Sequence, residues 1–267
     1  MPRPLLSADL AARLRAAGLD PDEINDPADA WNRLHASIGL RATLVDRYVL
    51  EAAHRGIAAE ALEPELRDRL TNEVLRAHSP QHEFVPGSER TDARRVEVVD
   101  YEPAWCDRFA EWRDRLGRAL GPVARRIEHV GSTAVPGLAA KPIVDIQVSV
   151  VDLEDEAAYV PAIEAEGIAL RLREEGHRYF RPAGDRPRTV HIHVCGSGSA
   201  WERNHLLFRD YLRADAATRD AYAAVKRAAA SRYRDDGIAY TEAKTTFVLD
   251  ALERAEEWAA ATGWRIS

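Results

Sequence analysis

The chain has 267 residues, of which 46% are hydrophobic and 30% charged, a balance typical of a folded protein with a buried core. Its formal net charge of −7 gives no overall attraction to nucleic acid or to an anionic membrane, so neither is expected as a partner. A membrane-spanning helix needs ~20 consecutive apolar residues, and Arg or Asp interrupts every apolar run of this chain before it reaches that length. The two cysteines lack metal or disulfide spacing, which predicts a cytoplasmic protein.

Residues 1–78 have the pattern of four amphipathic helices, which predicts a small all-α bundle. The first three candidate helices end at Gly18, Gly39 and Gly56, and glycine is the preferred residue just beyond a helix C-terminus. The segment has no cluster of His, Cys or carboxylate side chains at ligand spacing. A structural or oligomerisation module is therefore predicted, with a homodimer formed through the bundle as one hypothesis. Residues 79–94, rich in Pro, Gly and charge, are typical of a linker.

Residues 95–267 alternate between strand and helix patterns and predict an α+β domain. A short alternating apolar run at residues 96–101 predicts its first strand, and an amphipathic helix follows. Five further strands are predicted, at residues 124–130, 141–151, 168–174, 177–182 and 188–194. The run at 141–151 is continuously apolar around one acid, so we expect that strand to be buried on both faces. After Ser199 three helices are predicted, with breaks near Asp215 and Gly237. The order predicts a mixed sheet with flanking helices.

The segment HVGSTAVPGLAAKPIVDIQVSV, residues 129–150, differs from the Arg-, Glu- and Ala-rich helices around it. Gly131 and Ser132 directly follow a predicted strand, where glycine lets the backbone approach a ligand and free N–H groups attract phosphate. Asp145 lies in the next strand and is expected beside that turn. A carboxylate next to a phosphate-binding turn is the minimum for a site that binds magnesium and a nucleoside triphosphate. An ordinary turn with a buried, hydrogen-bonded Asp is the alternative.

Lysine is rare in this chain, since three of the 37 Lys and Arg residues are lysines, at positions 141, 226 and 244. A lysine supplies a compact, flexible point charge, whereas arginine supplies a planar fork. Lys141, inside the distinctive segment, and Lys244 are therefore candidate phosphate ligands. Lys226 is a weaker candidate for the same role. Six arginines between residues 171 and 188 add positive charge, and Arg178 is the candidate among them. A solvated face paired with acidic neighbours is the alternative for those arginines.

His191 and His193 are separated by one residue on a predicted strand, so both rings lie on the same face. Imidazole suits zinc, manganese or iron better than magnesium. The two rings could therefore bind one ion together with Asp145. The alternative is that one histidine packs in the core and the other forms an ordinary hydrogen bond.

The run EHVGSTAVPGLAAKPIVDIQV closely resembles the signature of the GrpB-like family, whose members look like minimal relatives of the DNA polymerase beta-type nucleotidyltransferases. VVDYEPAWCDRF is similar to the opening segment of that family, and HIHV to a later strand. NHLLFRDYLRADAATRDAYAAVKRAAASRY and AYTEAKTTFV look like its closing helices. The resemblance covers about residues 95–255 and excludes the predicted N-terminal bundle.

The resemblance implies a nucleotidyltransferase-like mixed sheet and transfer of a nucleotidyl group from a nucleoside triphosphate to an unknown small-molecule or protein acceptor. It also implies a divalent metal, magnesium or manganese. Gly131 and Ser132 match the phosphate-binding turn of the nucleotidyltransferase pattern, and the full set of candidate nucleotide-binding residues is Gly131, Ser132, Thr133, Lys141, Arg178 and Lys244. The implied metal ligands are Asp145, Gln147, His191 and His193, and the implied catalytic residues are Asp145 and His193.

The chain departs from the superfamily pattern of three acidic metal ligands. Asp145 matches the first acid, but Gln147 stands at the second, and His191 and His193 replace the third. A neutral amide holds magnesium less well than a carboxylate. Two alternatives to a transferase therefore stay open, namely a catalytically reduced nucleotide-binding or interaction module and a His-ligated metal-dependent hydrolase.

Overall fold

A computed structural model describes Arg15 and residues 40–78, 83–85, 95–184 and 186–266. The chain divides into two compact units, residues 1–80 and 81–267. In the first unit, helices α1 (Leu40–Arg55) and α2 (Pro64–His78) share an apolar cluster formed by Ala52, Leu62, Leu66 and Leu70. The first two predicted helices lie outside the described residues except for Arg15, so the four-helix bundle and its role in dimerisation stay predictions.

The second unit contains the predicted mixed sheet. Within the described residues the sheet has six strands: β1 (Glu83–Phe84), β2 (Ala124–Val130), β3 (Val144–Val150), β4 (Ile168–Glu174), β5 (His177–Pro182) and β6 (Val190–Gly196). Their order is β1–β4–β5–β6–β3–β2. Strands β3 and β6 run parallel, and every other neighbouring pair is antiparallel.

Helices flank this sheet in sequence and in space. They are α3 (Ala104–Leu120), α4 (Val160–Ala165), α5 (Ala200–Ala214), α6 (Ala216–Arg232), α7 (Gly237–Glu242) and α8 (Thr245–Thr262). The predicted breaks near Asp215 and Gly237 are confirmed. Asp215 accepts a hydrogen bond from the backbone N–H of Thr218 in the first turn of α6, and Asp236 accepts from those of Ile238 and Ala239 in the first turn of α7. One further break separates α7 from α8. Among the described residues, no helix is both long and apolar enough to cross a membrane.

The main core lies on one face of the central strands β3 and β6. Alternate residues of β3, including Ile146 and Val148, and of β6, including Ile192, are fully buried against Trp105 and Leu116 of α3. The residues between them point to the opposite face, as the period of two in a strand requires. Strand β3 is buried on both faces over most of its length, as predicted. The polar side chains of the candidate site therefore project from the face opposite α3.

Two segments differ from their predicted structure. Residues 96–101 do not form a strand, and Val99 makes one isolated bridge with Ala140. The dipeptide Glu83–Phe84, assigned above to a linker, pairs with β4 as an edge strand. Both differences have the same cause: strand formation depends on a partner across space, which local alternation of apolar residues does not reveal.

Candidate functional site

The site begins where β2 ends. Gly131 turns the chain with φ 68° and ψ −170°, and a single 3₁₀ turn, Ser132–Ala134, follows. That backbone region is essentially restricted to glycine. A Cβ atom at position 131 would stand 2.4 Å from Oδ2 of Asp145. The carboxylate of Asp145 therefore lies directly against the turn, in the position expected from the sequence.

Helix α5 holds this turn in place with two arginines. Arg213 donates from Nε (3.0 Å) and Nη2 (2.8 Å) to the carbonyl oxygen of Ala134. Arg209 donates from Nη1 to the carbonyl oxygen of His129 (3.0 Å) and to the carboxylate of Glu128 (2.7 Å). Hydrogen bonds to charged donors are stronger than neutral ones. The end of β2 and the turn are thus fixed from one side by a single helix.

Asp145, His191 and His193 form a cluster because β3 and β6 are parallel neighbours in register. Nδ1 of His191 is 3.1 Å from Oδ1 of Asp145, and Nε2 of His193 is 3.6 Å from the same oxygen. One candidate ligand atom from each residue lies within 4.8 Å of the other two. One carboxylate and two imidazoles fit a single divalent ion, of the manganese or zinc type more than magnesium.

The electrostatics of the cluster favour an ionised Asp145. Burial raises the pKa of this carboxyl group, but the hydrogen bonds and charges of His191 and His193 outweigh it and hold the pKa well below its usual range. Burial also lowers the pKa of His191. The cluster therefore offers an anionic oxygen beside an imidazole whose burial favours the neutral form, which is the protonation state that metal ligation needs.

A chain of hydrogen bonds continues from the cluster to the β4–β5 hairpin. Nδ1 of His177 is 2.5 Å from Oε1 of Glu174, and Nε2 of His177 is 3.0 Å from Nδ1 of His193. Burial lowers the pKa of His177 to about 4, so the ring is neutral at pH 7. A carboxylate can only accept, so His177 donates from Nδ1 and must accept at Nε2 from His193. His193 thus donates from Nδ1 to His177, and its Nε2 faces Asp145.

A cavity of about 230 Å³ opens beside the turn and contains all three lysines of the chain. Its lining includes Ser132, Thr133, Lys141, Asp145, His191, Lys226, Tyr240 and Lys244. The side chain of Lys226 is buried at 2% exposure, and its Nζ has no hydrogen-bond partner among the described residues. Burial lowers the pKa of Lys226 to about 6 and that of Lys244 to about 7. We call this space the three-lysine cavity.

The aromatic side chains of α6 and α7 position these amines. Nζ of Lys226 is 4.6 Å from the ring centroid of Tyr222. Tyr240 lies between the other two, 4.2 Å from Nζ of Lys244 and 5.0 Å from Nζ of Lys141. A ring face attracts an ammonium group electrostatically. The amines thus rest on aromatic faces.

A second, larger cavity of about 630 Å³ adjoins the first at Lys141 and His191. Its lining includes His177, Tyr179 and His193. It also includes the charged side chains Arg95, Glu97, Arg171, Glu174, Arg181 and Arg188. The Asp–His–His cluster therefore lies where two cavities meet, with room for a ligand on each side.

Most of the residues predicted for the site lie together. The structure gathers Gly131, Ser132, Thr133, Lys141, Asp145, His191, His193 and Lys244 around the turn and the three-lysine cavity. The hydroxyl of Thr133 is already engaged, with the carbonyl oxygen of Ile143 at 3.2 Å and Nε2 of His129 at 3.0 Å. Thr133 therefore helps to shape the turn through its side chain.

Two predicted residues are placed differently. Arg178 does not line either cavity: its guanidinium binds the carboxylates of Glu154 (2.8 Å) and Glu156 (2.6 Å), and the residue is 5% exposed. Adjacent residues of a strand face opposite ways, so Arg178 points away from its neighbour His177, which lines the second cavity. Gln147 shares a face with Asp145 but is fully buried, and it lines neither the three-lysine cavity nor the second cavity.

Sequence reasoning missed three residues at the site. Lys226 could have been found, because the rarity of lysine marks it as strongly as Lys141 and Lys244. Glu174 and His177 carry no local motif. Their connection to His193 depends on the pairing of β5 with β6, which only the folded sheet shows.

Comparisons with known proteins agree with the resemblance seen in the sequence. The model of the GrpB protein family matches residues 95–254. A UPF0157 protein of Streptomyces coelicolor is 43% identical over an alignment of 180 positions that covers 63% of this chain and 95% of that protein. A dephospho-CoA kinase of Mycobacterium leprae is 31% identical over 281 residues, covering 87% of this chain and 68% of the kinase. The crystal structure of conserved protein GrpB from Enterococcus faecalis superposes with a TM-score of 0.55 at 32% identity, covering 61% of this chain and 99% of that one.

Proposed function

The chain belongs to the GrpB family, and from the geometry of its site we propose that it binds a nucleoside triphosphate and one divalent metal and transfers a nucleotidyl group. The acceptor would be a hydroxyl or amine of a small molecule or protein. One observation carries the proposal: the carboxylate of Asp145 lies between the Gly131 turn and two histidines, at the edge of the three-lysine cavity. The strand, the turn and the acid on the next strand also follow the nucleotidyltransferase pattern that the sequence resembles.

In the proposed transfer, each group of residues at the site has a separate role. The backbone N–H groups of Ser132 and Thr133, at the start of the turn, would donate hydrogen bonds to phosphate oxygens. At the start of a helical turn these groups have no acceptor within the turn itself. In the reaction an acceptor oxygen or nitrogen bonds to the α-phosphorus, the bond to the bridging oxygen breaks, and pyrophosphate leaves. The acceptor loses its proton to water, because Nδ1 of His193 is held by His177 and its Nε2 is engaged by the metal. The lysines offset the charge of the leaving pyrophosphate.

The metal would be held by Asp145, His191 and His193, and it would stabilise charge on the α-phosphate as a Lewis acid. Two imidazoles and one carboxylate favour manganese over magnesium as the working ion. Gln147 has no part in this proposal, since its side chain is buried and lines neither cavity.

Calorimetric titration with each nucleoside triphosphate, with and without manganese, tests the proposal, together with an assay for pyrophosphate release. We expect metal-dependent binding that is lost in Asp145→Asn and kept in Asp155→Asn, a change of the same kind at an exposed acid. Absence of binding in every combination of nucleotide and metal would refute nucleotide binding. Tightly bound zinc with hydrolysis and no transfer would instead support the metal-dependent hydrolase.

A second candidate is a nucleotide-binding module that has lost transfer activity. The burial of Gln147 favours it, because a single carboxylate remains where the superfamily pattern has three acids. Dephospho-CoA kinase activity, which is the name of several relatives, has weaker support. The segment GSTAVPGLAAK lacks the Gly-Lys-Ser/Thr sequence of a P-loop. Binding without pyrophosphate release, unchanged in Gln147→Asp, would favour the inactive module over the enzyme.

A further inference from the structure

The three-lysine cavity has an unusual charge balance for a chain that is acidic overall. Its described lining contains three amines, from Lys141, Lys226 and Lys244, and one carboxylate, from Asp145. The carboxylate already has two imidazole partners. The lining therefore offers more amines than carboxylates, and a bound anion with several negative charges would favour the protonated form of these amines.

Lys226 is the most informative of the three amines. It is 2% exposed, and its Nζ has no hydrogen-bond partner among the described residues. Its amine contacts the face of Tyr222 but forms no hydrogen bond within the described part of the chain, and a buried polar group without a hydrogen bond destabilises the fold. An unpaired amine that lines a cavity is instead suited to receive an anionic group from a ligand.

The volume of the cavity limits what the ligand can be. Pockets that enclose a whole drug-sized molecule measure about 300–1,000 Å³, whereas this cavity measures about 230 Å³. A nucleoside with its phosphates does not fit inside, but a short chain of phosphate groups does. Base and sugar would have to lie outside, in the second cavity or in solvent.

We propose that the three-lysine cavity binds a linear polyphosphate, either pyrophosphate or the triphosphate end of a nucleotide, and that Lys226 contacts its innermost phosphate group. Recognition then acts on the phosphate chain and makes no distinction among bases. This inference goes beyond the proposed function, because it names the binding site and the phosphate chain as the recognised group, and it does not require that a nucleotidyl group is transferred. It rests on the proposed function only where the ligand is a nucleotide.

Isothermal titration of the full chain with inorganic pyrophosphate, tripolyphosphate, orthophosphate and the four common ribonucleoside triphosphates tests this inference. We expect pyrophosphate and tripolyphosphate to bind at least tenfold more tightly than orthophosphate. The four nucleotides should agree within about threefold, since the base makes no contact in the cavity.

The variants are Lys226→Met and Lys244→Met, with Arg227→Met as the matched control. Arg227 follows Lys226 in the same helix, but its side chain is 53% exposed and pairs with Asp100 outside the cavity. Each lysine variant should weaken tripolyphosphate binding at least tenfold, and the arginine variant should leave it unchanged. Near-ultraviolet circular dichroism of each variant confirms that the fold is retained.

The outcomes separate this inference from the proposed function. Equal weakening by Arg227→Met and Lys226→Met, or no weakening by either, would overturn the polyphosphate site. Nucleotide binding without any binding of inorganic polyphosphate would also overturn it while leaving the proposed function standing. Polyphosphate binding through Lys226 with no nucleotide bound would support the inference and refute the proposed function.

Discussion

At Gly131 a hydrogen atom in place of a side chain allows Asp145 to reach the turn. Gly131→Ala should destabilise the protein by about 1–3 kcal/mol, because the backbone occupies a region that non-glycine residues rarely adopt. It should also abolish metal-dependent nucleotide binding, because the new Cβ would stand 2.4 Å from the carboxylate and displace it. Thermal melting and calorimetric titration measure the two effects.

Gly137 offers the matched control for this variant. It also has a positive φ, 78°, but a Cβ there would meet nothing closer than the guanidinium of Arg219 at 3.9 Å. Gly137→Ala should therefore lower the melting temperature and leave binding intact. Equal loss of binding in both variants would contradict the specific role of the contact between Gly131 and Asp145.

Lys226 should make the stability of the protein depend on pH. A lysine in the unfolded chain has a pKa near 10.4, whereas burial lowers the pKa of Lys226 to about 6 in the folded protein. Between these values the unfolded state binds a proton that the folded state does not, so this residue makes the free energy of unfolding rise with pH. Its destabilising effect is fully present below about pH 6 and is lost as pH approaches the unfolded value.

Lys226→Met should therefore stabilise the protein by about 1–3 kcal/mol at pH 6, because methionine has no polar group to bury. The advantage should shrink steadily as the pH approaches 9–10. Denaturant unfolding at several pH values measures this difference, and Arg227→Met should show no comparable trend. A gain in stability with a simultaneous loss of polyphosphate binding is typical of a residue retained for function.

At the scale of elements, the sequence predicts where most of the strands lie along the chain but not which strands pair with one another. Strands β2 to β6 could be predicted because apolar residues alternate or run continuously within them. The failure at residues 96–101 and the missed strand at Glu83–Phe84 both concern edges, where pairing depends on a distant partner. The spacing of Arg178 fits a cavity-facing arginine, but the pleat of β5 turns its side chain towards Glu154 and Glu156.

The hydrogen-bonded chain across β4, β5 and β6 gives a prediction about elements. His177→Phe keeps an aromatic ring to stack on Trp201, whose centroid lies 4.4 Å away, but removes the acceptor for His193. Manganese affinity should fall about 10- to 100-fold, as expected when a group that orients a metal-binding histidine is lost. Titration of the metal alone measures this change.

His205 supplies the control for that variant, because it stacks on Trp201 at 3.6 Å. Its Nδ1 bonds to the carbonyl oxygen of Trp201. His205→Phe should leave manganese affinity within about twofold, since His193 keeps its partner. Loss of affinity in His205→Phe but not in His177→Phe would show that stacking, and not the hydrogen bond, positions the cluster.

At the scale of the whole molecule, every residue assigned to the candidate site lies in the second unit. The turn, the Asp–His–His cluster and both cavities are formed by residues between positions 84 and 244. The Enterococcus faecalis GrpB structure is covered over 99% of its length by 61% of this chain, so a solved relative consists almost wholly of the shared region. The site is therefore expected to function without the first 80 residues.

The fragment of residues 81–267 should accordingly fold alone and keep the binding properties of the full chain. Its sheet and apolar core lie within the fragment, and folding of a domain needs its own core. We expect a cooperative thermal transition and affinities for manganese and tripolyphosphate within about threefold of those of the intact protein. A fragment that melts without cooperativity would show that the first unit stabilises the second. A folded fragment that no longer binds would show that residues before position 81 contribute to the site, and either result would contradict the independence argued from the structure.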